Sequence, residues 1–296
     1  MFKTMLSNVF TLTLLCFVFT PIRGVSDELS FTNVDFPGAF FNGITATGQG
    51  ITLFDFPGAS STMARGINPA GDIVGFYSNA TGDHGFLLSK AGFTSSDFPS
   101  ANLTRALGIN AQGDIVGEYG DSTGGHGFLL SKGVFTPIDV PGLFGTSAAG
   151  ITSNGDIVGY AGGHGFLLSN GVFSTVDFPG AFATFLTGIN ARGDMVGFYN
   201  IGVFHNGDGN RAFSWSKGVF TVIAVPDSSF SEAFGIDDAG DIAGFSGGPQ
   251  GLVGFLLDKG VFTSLGLSIL ARGINSRGDI VGEYSVIGGH SFLLRK

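Results

Sequence analysis

The chain has 296 residues, 43% of them hydrophobic and only 12% charged, an apolar supply that excludes a disordered protein. Its formal charge of -9 repels phosphate backbones and no basic cluster offsets it, which excludes nucleic acid as a partner. With 51 glycines and 32 phenylalanines, and no stretch of helical length with a clean 3.6 periodicity, the composition predicts an all-β fold of short apolar strands joined by tight turns.

Residues 1–24 stand apart. Lys3 precedes an apolar run from Val9 to Thr20, which has signal-peptide length rather than membrane-spanning length. Thr20-Pro21-Ile22-Arg23-Gly24 lacks a clean small-x-small cleavage pattern, so an uncleaved anchor stays open as the alternative. Cys16, the only cysteine, falls inside the apolar run without the small residue that a lipoprotein site places before it. The predicted mature protein therefore has no thiol, no membrane span and a formal charge of -11, and is secreted or periplasmic.

Beyond this segment the chain repeats itself. Gly-Ile-Asn-x-x-Gly-Asp-Ile-Val-Gly recurs with small substitutions at Gly66, Gly108, Gly150, Gly188, Gly235 and Gly273, at spacings of 42, 42, 38, 47 and 38. A second pattern follows each copy, as in His126-Gly127-Phe128-Leu129-Leu130, and then a third such as Asp177-Phe178-Pro179-Gly180. Each copy divides into four strands: a near Arg65 to Asn68, b from Asp72 to Tyr77, c from Gly85 to Ser89, and d from Phe93 to Phe98. Asn110-Ala111-Gln112-Gly113 and its relatives suit a type I turn closed by a left-handed residue, Ser-Lys-Gly-Val suits a like turn between c and d, and Phe-Pro-Gly suits a type II turn. Strand b is apolar at consecutive positions, as in Ile115-Val116, and so is buried on both faces; the glycine after each pair admits a neighbouring backbone. Four-stranded units of this length and burial predict a β-propeller of six blades filling residues 51–296.

The last copy stops at Lys296 after strand c. Ile51 to Phe56 is expected to supply its missing strand d, because the distance from Asp to the next strand-a glycine is 11 for Asp55, Asp97, Asp139 and Asp177, but 8 from Asp35 to Gly43. Residues 25–50 then form a truncated extra repeat, and seven blades with a degenerate first one is the alternative.

These motifs resemble those of the HAF-repeat family of probable extracellular repeat proteins, over nearly all of the mature chain. The second motif departs from the family's His-Ala-Phe, reading His-Gly-Phe at His84, His126 and His164, Arg211-Ala212-Phe213 in the fourth copy and His290-Ser291-Phe292 in the last. The resemblance implies export and a repeat scaffold, and it carries no catalytic residue across.

Among chemically capable residues, His84, His126, His164 and His290 share one repeat position on strand c, away from any central channel, which points to a structural role rather than a metal site. Asp72, Asp114, Asp156, Asp194, Asp241 and Asp279 follow the hairpin glycine in every copy, which points to hydrogen bonding with turn amides rather than calcium. The carboxylates that break the repeat are Asp83, Glu118, Asp121, Asp208, Asp227, Glu232 and Glu283, with no local motif pairing them. Asn79-Ala80-Thr81 and Asn102-Leu103-Thr104 match glycosylation acceptors.

Strand parity places the a–b and c–d turns on one face, while the variable b–c and d–a connections share the other. On that face the fourth copy stands out. His205, Asn206, Asp208, Asn210 and Arg211, with Asp227, Phe230 and Glu232 and beside Phe182 and Phe185, are the candidate ligand-binding residues. No catalytic residue, metal or cofactor is assigned. The expected function is a monomeric, non-catalytic binding or scaffold module for an extracellular glycan, peptide or protein; the alternative is a carbohydrate-active enzyme, hydrolase or lyase, using carboxylates on the variable-loop face.

Overall fold

A computed structural model describes residues 51–202, 209–284 and 289–296. The expected signal segment and truncated repeat, residues 1–50, lie outside them. The described residues form six four-stranded antiparallel sheets and no helix, a six-bladed β-propeller rather than a seven-bladed one.

Blade 1 follows the lone strand β1 (Ile51–Phe54) and comprises β2 (Ser61–Ile67), β3 (Ile73–Asn79), β4 (Gly82–Ser89) and β5 (Gly92–Ser95). Blade 2 runs through β6 (Leu103–Ile109), β7 (Ile115–Gly120), β8 (Gly125–Ser131) and β9 (Val134–Ile138), and blade 3 through β10 (Ser147–Ile151), β11 (Ile157–Ala161), β12 (His164–Ser169) and β13 (Val172–Thr175). Blade 4 has β14 (Ala183–Ile189), β15 (Met195–Asn200), β16 (Asn210–Ser216) and β17 (Val219–Val222); blade 5 has β18 (Phe230–Ile236), β19 (Ile242–Gly248), β20 (Gly251–Asp258) and β21 (Val261–Leu267). Blade 6 has β22 (Ile269–Ile274), β23 (Ile280–Tyr284) and β24 (His290–Leu294), and β1 is its fourth strand, with Ile51 opposite Leu294 and Phe54 opposite Ser291.

Strand a of every blade is innermost, and glycine sets how close these strands come. A Cβ on Gly108 would lie 2.6 Å from the Ala149 carbonyl oxygen and 3.3 Å from the Gly150 Cα. The same approach recurs around the whole throat, Gly66 to Gly108, Gly150 to Gly188, Gly188 to Gly235, Gly235 to Gly273 and Gly273 back to Gly66. Just before each glycine the a–b pairing skips a residue, a bulge that leaves that residue's side chain free to turn inward.

The core lies between blades, which accounts for strand b being apolar at consecutive positions. The isoleucine of Ile-Val-Gly packs into its own blade and the valine into the next one: Val74 joins Ala106, Ile115 and Phe128, Val116 joins Ala148 and Phe166, and Val281 closes the circle against Ala64 and Phe86. Each of these valines is fully buried, worth about 2 kcal/mol apiece.

The turns follow their chemistry with two corrections. The c–d hairpins of blades 2 to 5 carry two left-handed residues, as at Lys132 (φ 51) and Gly133 (φ 80), so they are type I′ turns, whose twist matches the strands they join. In the c–d hairpin of blade 1 only Gly92, after the Lys90-Ala91 loop, has positive φ. In the a–b turns it is the asparagine that holds the amides: the Gln112 and Asp114 N–H groups donate to Asn110 Oδ1, and Asp114 Oδ2 accepts from Asn110 Nδ2. The repeated aspartates thus orient the asparagines, whose Nδ2 groups also reach the next blade, Asn68 to the Asn110 carbonyl, Asn110 to Thr152, Asn190 to Asp237 and Asn275 to Asn68. The Phe-Pro-Gly connections form the expected type II turns, with Ala59 N–H donating to the Phe56 carbonyl across Gly58 at φ 80.

The strand-c histidines have a plain structural use. Each binds the aspartate of the connection that leaves its blade: His84 to Asp97 at 3.0 Å, His126 to Asp139 at 2.9 Å and His164 to Asp177 at 2.8 Å. The seam is fastened the same way, His290 to Asp55 at 2.7 Å. Where Arg211 and Val253 replace the histidine, Ala224 and Leu267 stand near the aspartate's place, so histidine and aspartate are lost together.

Two outcomes follow. Removing residues 25–50 should leave a cooperatively melting propeller, whereas removing 25–58 should abolish the transition by taking β1 away; equal melting curves would show that the ring closes otherwise. Gly113→Ala, at φ 85 with open space around it, should cost about 1 kcal/mol, and Gly108→Ala several times more because its methyl meets backbone, readable from denaturant midpoints.

Candidate functional site

Within strand a the six bulge residues vary from blade to blade while their neighbours scarcely change: Arg65, Leu107, Ala149, Thr187, Phe234 and Arg272. All six line one cavity of about 220 Å³ in the channel, together with Arg105, Phe76, Glu118 and Tyr160. The last three come from strand b, one residue beyond Ile-Val-Gly, where the pairing sets them beside strand a; Glu118 is directly opposite Arg105. The cavity lies on the b–c and d–a side of the strand-a glycines, while the a–b turns line a separate cavity at the other end of the channel.

Charged groups meet here in matched sets. Arg105 donates through Nε and Nη2 to Asp83 Oδ2, at 2.8 and 2.6 Å, and through Nη1 to Glu118 at 3.1 Å. Burial works against the Arg105 charge, but these bonds outweigh it and hold its pKa above the ordinary value. Burial likewise disfavours the Asp83 carboxylate, and the bonds from Ser78 and Arg105 still bring its pKa below the usual range. Glu283 is shared by Arg272 at 3.1 Å and Arg65 at 3.3 Å. Arg272 packs over Phe234 and Phe245, 4.2 and 4.9 Å from the ring centroids, and burial, with Arg65 beside it, pushes its pKa down to about 10. Arg65 and Arg105 both lie over Phe76. The Nε of Arg65 is buried without a hydrogen-bond partner, a donor left for something that enters the cavity.

Glu232 joins this cluster from β18. Its carboxyl accepts from Asn210 Nδ2 at 2.6 Å, and burial raises its pKa in spite of that bond and of Arg272 and Arg65 nearby. Burial raises the Tyr160 phenol as well, helped by the charge of Glu118. The mouth therefore presents fixed guanidinium donors, carboxylate acceptors, aromatic faces and one carboxyl inclined to keep its proton.

The residues expected to form a site in blade 4 are divided among several places. His205, Asn206 and Asp208 lie outside the described residues. Asn210 and Glu232 bond to each other at the edge of the channel cluster. Arg211 donates to the Ser229 and Asn210 carbonyls. Phe230 packs edge-on to Phe245, Phe185 lies on Phe198, Phe182 is exposed, and Asp227 borders a separate cavity in blade 5. Asp83, Glu118, Glu232 and Glu283, four of the repeat-breaking carboxylates, are brought to one end of the channel although they come from four blades. Arg65, Arg105, Arg272, Phe76, Tyr160 and Phe234 were not singled out in the sequence; the signal was variation at the two positions flanking invariant glycines. Among the described residues no group of three or more His, Cys, Asp or Glu is placed to hold a metal ion, and no helix is long and apolar enough to cross a membrane.

No family model and no curated protein matches the chain. Among solved structures it is similar to a streptogramin B lyase, at 14% identity over 83% of this chain and 97% of that one, TM-score 0.47. It is also similar to virginiamycin B lyase from Staphylococcus aureus, at 10% identity over 83% and 99%, TM-score 0.48. A third is the Aleuria aurantia lectin in complex with alpha-methyl-L-fucoside, at 12% identity over 76% and 80%, TM-score 0.44.

Glu232 gives the site a pH signature. Its folded pKa lies above the unfolded value, so its contribution to stability is complete below the unfolded pKa and is lost as pH rises through the folded one. Glu232→Gln keeps an acceptor for Asn210 and removes the titration. The variant should melt with the wild type at pH 4 and above it at pH 7; a constant difference across that range would place Glu232 in an ordinary solvated setting.

Proposed function

We propose that this protein is an exported, non-catalytic binding module that takes a neutral sugar ring at the variable-loop mouth of its channel. The observation that carries the reading is the inward turn of the bulge residues, which sets Arg65 and Arg272 beside Arg105, Phe76, Tyr160 and Phe234 around one cavity. Three guanidinium groups face Asp83, Glu118 and Glu283, so the cluster has little net charge to select an ion. Paired donors and acceptors held by ion pairs suit vicinal hydroxyl groups, and the aromatic faces suit the C–H side of a pyranose. A volume of about 220 Å³ lies below the ~300–1,000 Å³ of drug-sized sites and fits a single ring. Export is supported by Lys3 and the apolar run from Val9 to Thr20.

A glycan array probed with wild type, Arg65→Ala and Arg105→Ala, followed by calorimetry on any hit, tests the reading. Binding weakened about tenfold or more in both variants, in protein that still melts cooperatively though at a lower temperature because a carboxylate loses its partner, is the expected result. A ligand whose affinity survives both changes removes the channel mouth from consideration.

Glu232 favours a second reading at the same place. A carboxyl whose pKa burial raises, sharing Arg272 with Glu283, sets an acid near a carboxylate, the pairing that carbohydrate-cleaving enzymes use. Turnover of chromogenic glycosides that disappears in Glu232→Gln would establish it; binding without turnover leaves the module reading in place.

A further inference from the structure

Blade 5 departs from its neighbours at one place, and the departure leaves space. In blades 1, 2 and 4 the phenylalanine of the incoming connection lies flat on a strand-b tyrosine: Phe56 on Tyr77 at 3.7 Å between centroids, Phe98 on Tyr119 at 3.6 Å and Phe178 on Tyr199 at 3.8 Å, all within 5° of parallel. In blade 5 the same positions hold Val225 and Ser246, and Val253 replaces the histidine that stacks on the tyrosine in blades 1 and 2. The layer beneath survives, Phe255 edge-on to Phe262 at 5.7 Å, as Phe86 is to Phe93 at 5.6 Å. A stack of rings is missing above an intact aromatic floor.

The result is a cavity of about 490 Å³, the size of a small-molecule site. Blade 3 shows that the deficit need not stay open. It too has small residues at both positions, Val140 and Ala161, but Leu143 lies against Gly162 there, and the residue in the place of Leu143 in blade 5 is Ser228, whose hydroxyl donates to the Val225 carbonyl.

Two polar groups face this cavity without partners. Ser246 is only 6% exposed and its hydroxyl makes no hydrogen bond among the described residues, which leaves it free to bond a ligand. Asp227 is exposed on the rim, at φ 55 where Gly58, Gly142 and Gly180 stand in other blades, and its carboxylate has neither a hydrogen bond nor an ion pair among the described residues.

We propose that the blade 5 cavity is a binding site for an arylalkylammonium ion, whose ring replaces the missing stack above Phe255 and Phe262, whose cation meets Asp227 and whose polar substituent bonds Ser246. The other blades supply the template for the ring, and the unpaired carboxylate supplies the sign of the charge. Such a group belongs equally to a free arylalkylamine and to an aromatic residue at a peptide's amino terminus.

Titration of the full chain with tyramine, followed by calorimetry or by NMR, tests this. Saturable binding is expected, with 4-hydroxyphenylacetate, which reverses the charge, about tenfold weaker or worse, and with Asp227→Asn weakening tyramine by about the same factor. The double variant Val225→Phe, Ser246→Tyr refills the space and should abolish binding while melting at or above the wild type. If that variant fails to fold, Asp227→Asn, on the exposed rim, decides alone. Competition by a peptide beginning with tyrosine identifies peptide ends as the source; binding of tyramine without such competition identifies free amines. Absence of saturable tyramine binding, or affinity unchanged in Asp227→Asn or in the folded double variant, overturns the proposal.

Discussion

Close approach of six backbones around a narrow throat is the constraint on which the rest of this molecule depends. Every innermost strand meets the next one at a glycine, where a methyl group would already run into backbone atoms. With the inner strands held so near, the spaces between blades are thin enough for one small side chain per blade to enter, valine in five blades and Ala243 in blade 5. The bulge before each glycine belongs to the same geometry. It lets the strand curve into the throat and turns one side chain per blade toward the channel instead of into the core between blades.

Placement outside the core between blades makes those six positions a place where chemistry varies at little cost to the scaffold. Arginine, leucine, alanine, threonine and phenylalanine all occur there, whereas the flanking residues scarcely change. The charges that result are not left bare: each guanidinium finds a carboxylate from strand b or from a neighbouring blade, and aromatic rings cover the faces. The division of labour differs on the outer part of the blades. There the histidine-aspartate pairs and stacked phenylalanine-tyrosine pairs fasten one blade to the next, and only where these are replaced does the wall open.

Much of the fold was legible because each local signal repeats six times. The period gave the blades, the turn residues gave the hairpins, and the spacing of Asp55 from Gly66 located the closing strand. The channel cluster was not legible in the same way. Asp83, Glu118, Glu232 and Glu283 come from four blades, and only the ring brings them together; a sequence without a center to refer to shows them as scattered acids. Loop length pointed instead to blade 4, where Glu232 does meet Asn210, but the arginines that also surround Glu232, Arg65 and Arg272, come from blades 1 and 6 and carried no mark in the sequence. The aromatic gap in blade 5 was visible as Val225 and Ser246 but had no meaning until the stacks in other blades were known.

The seam between β1 and β24 also sets an order of events. Its partners are almost as far apart in sequence as the described chain allows, and the entropy of closing such a loop grows only with the logarithm of its length, so the equilibrium penalty is small. The delay is not small. Five sheets can form from local hairpins as soon as their residues are available, but the sixth waits for the last strand, and until then the ring has two open ends with unpaired backbone. Folding of this propeller is therefore a zipper that finishes with a clasp, and the interval before the clasp shuts is when the chain is most exposed to joining with another copy of itself.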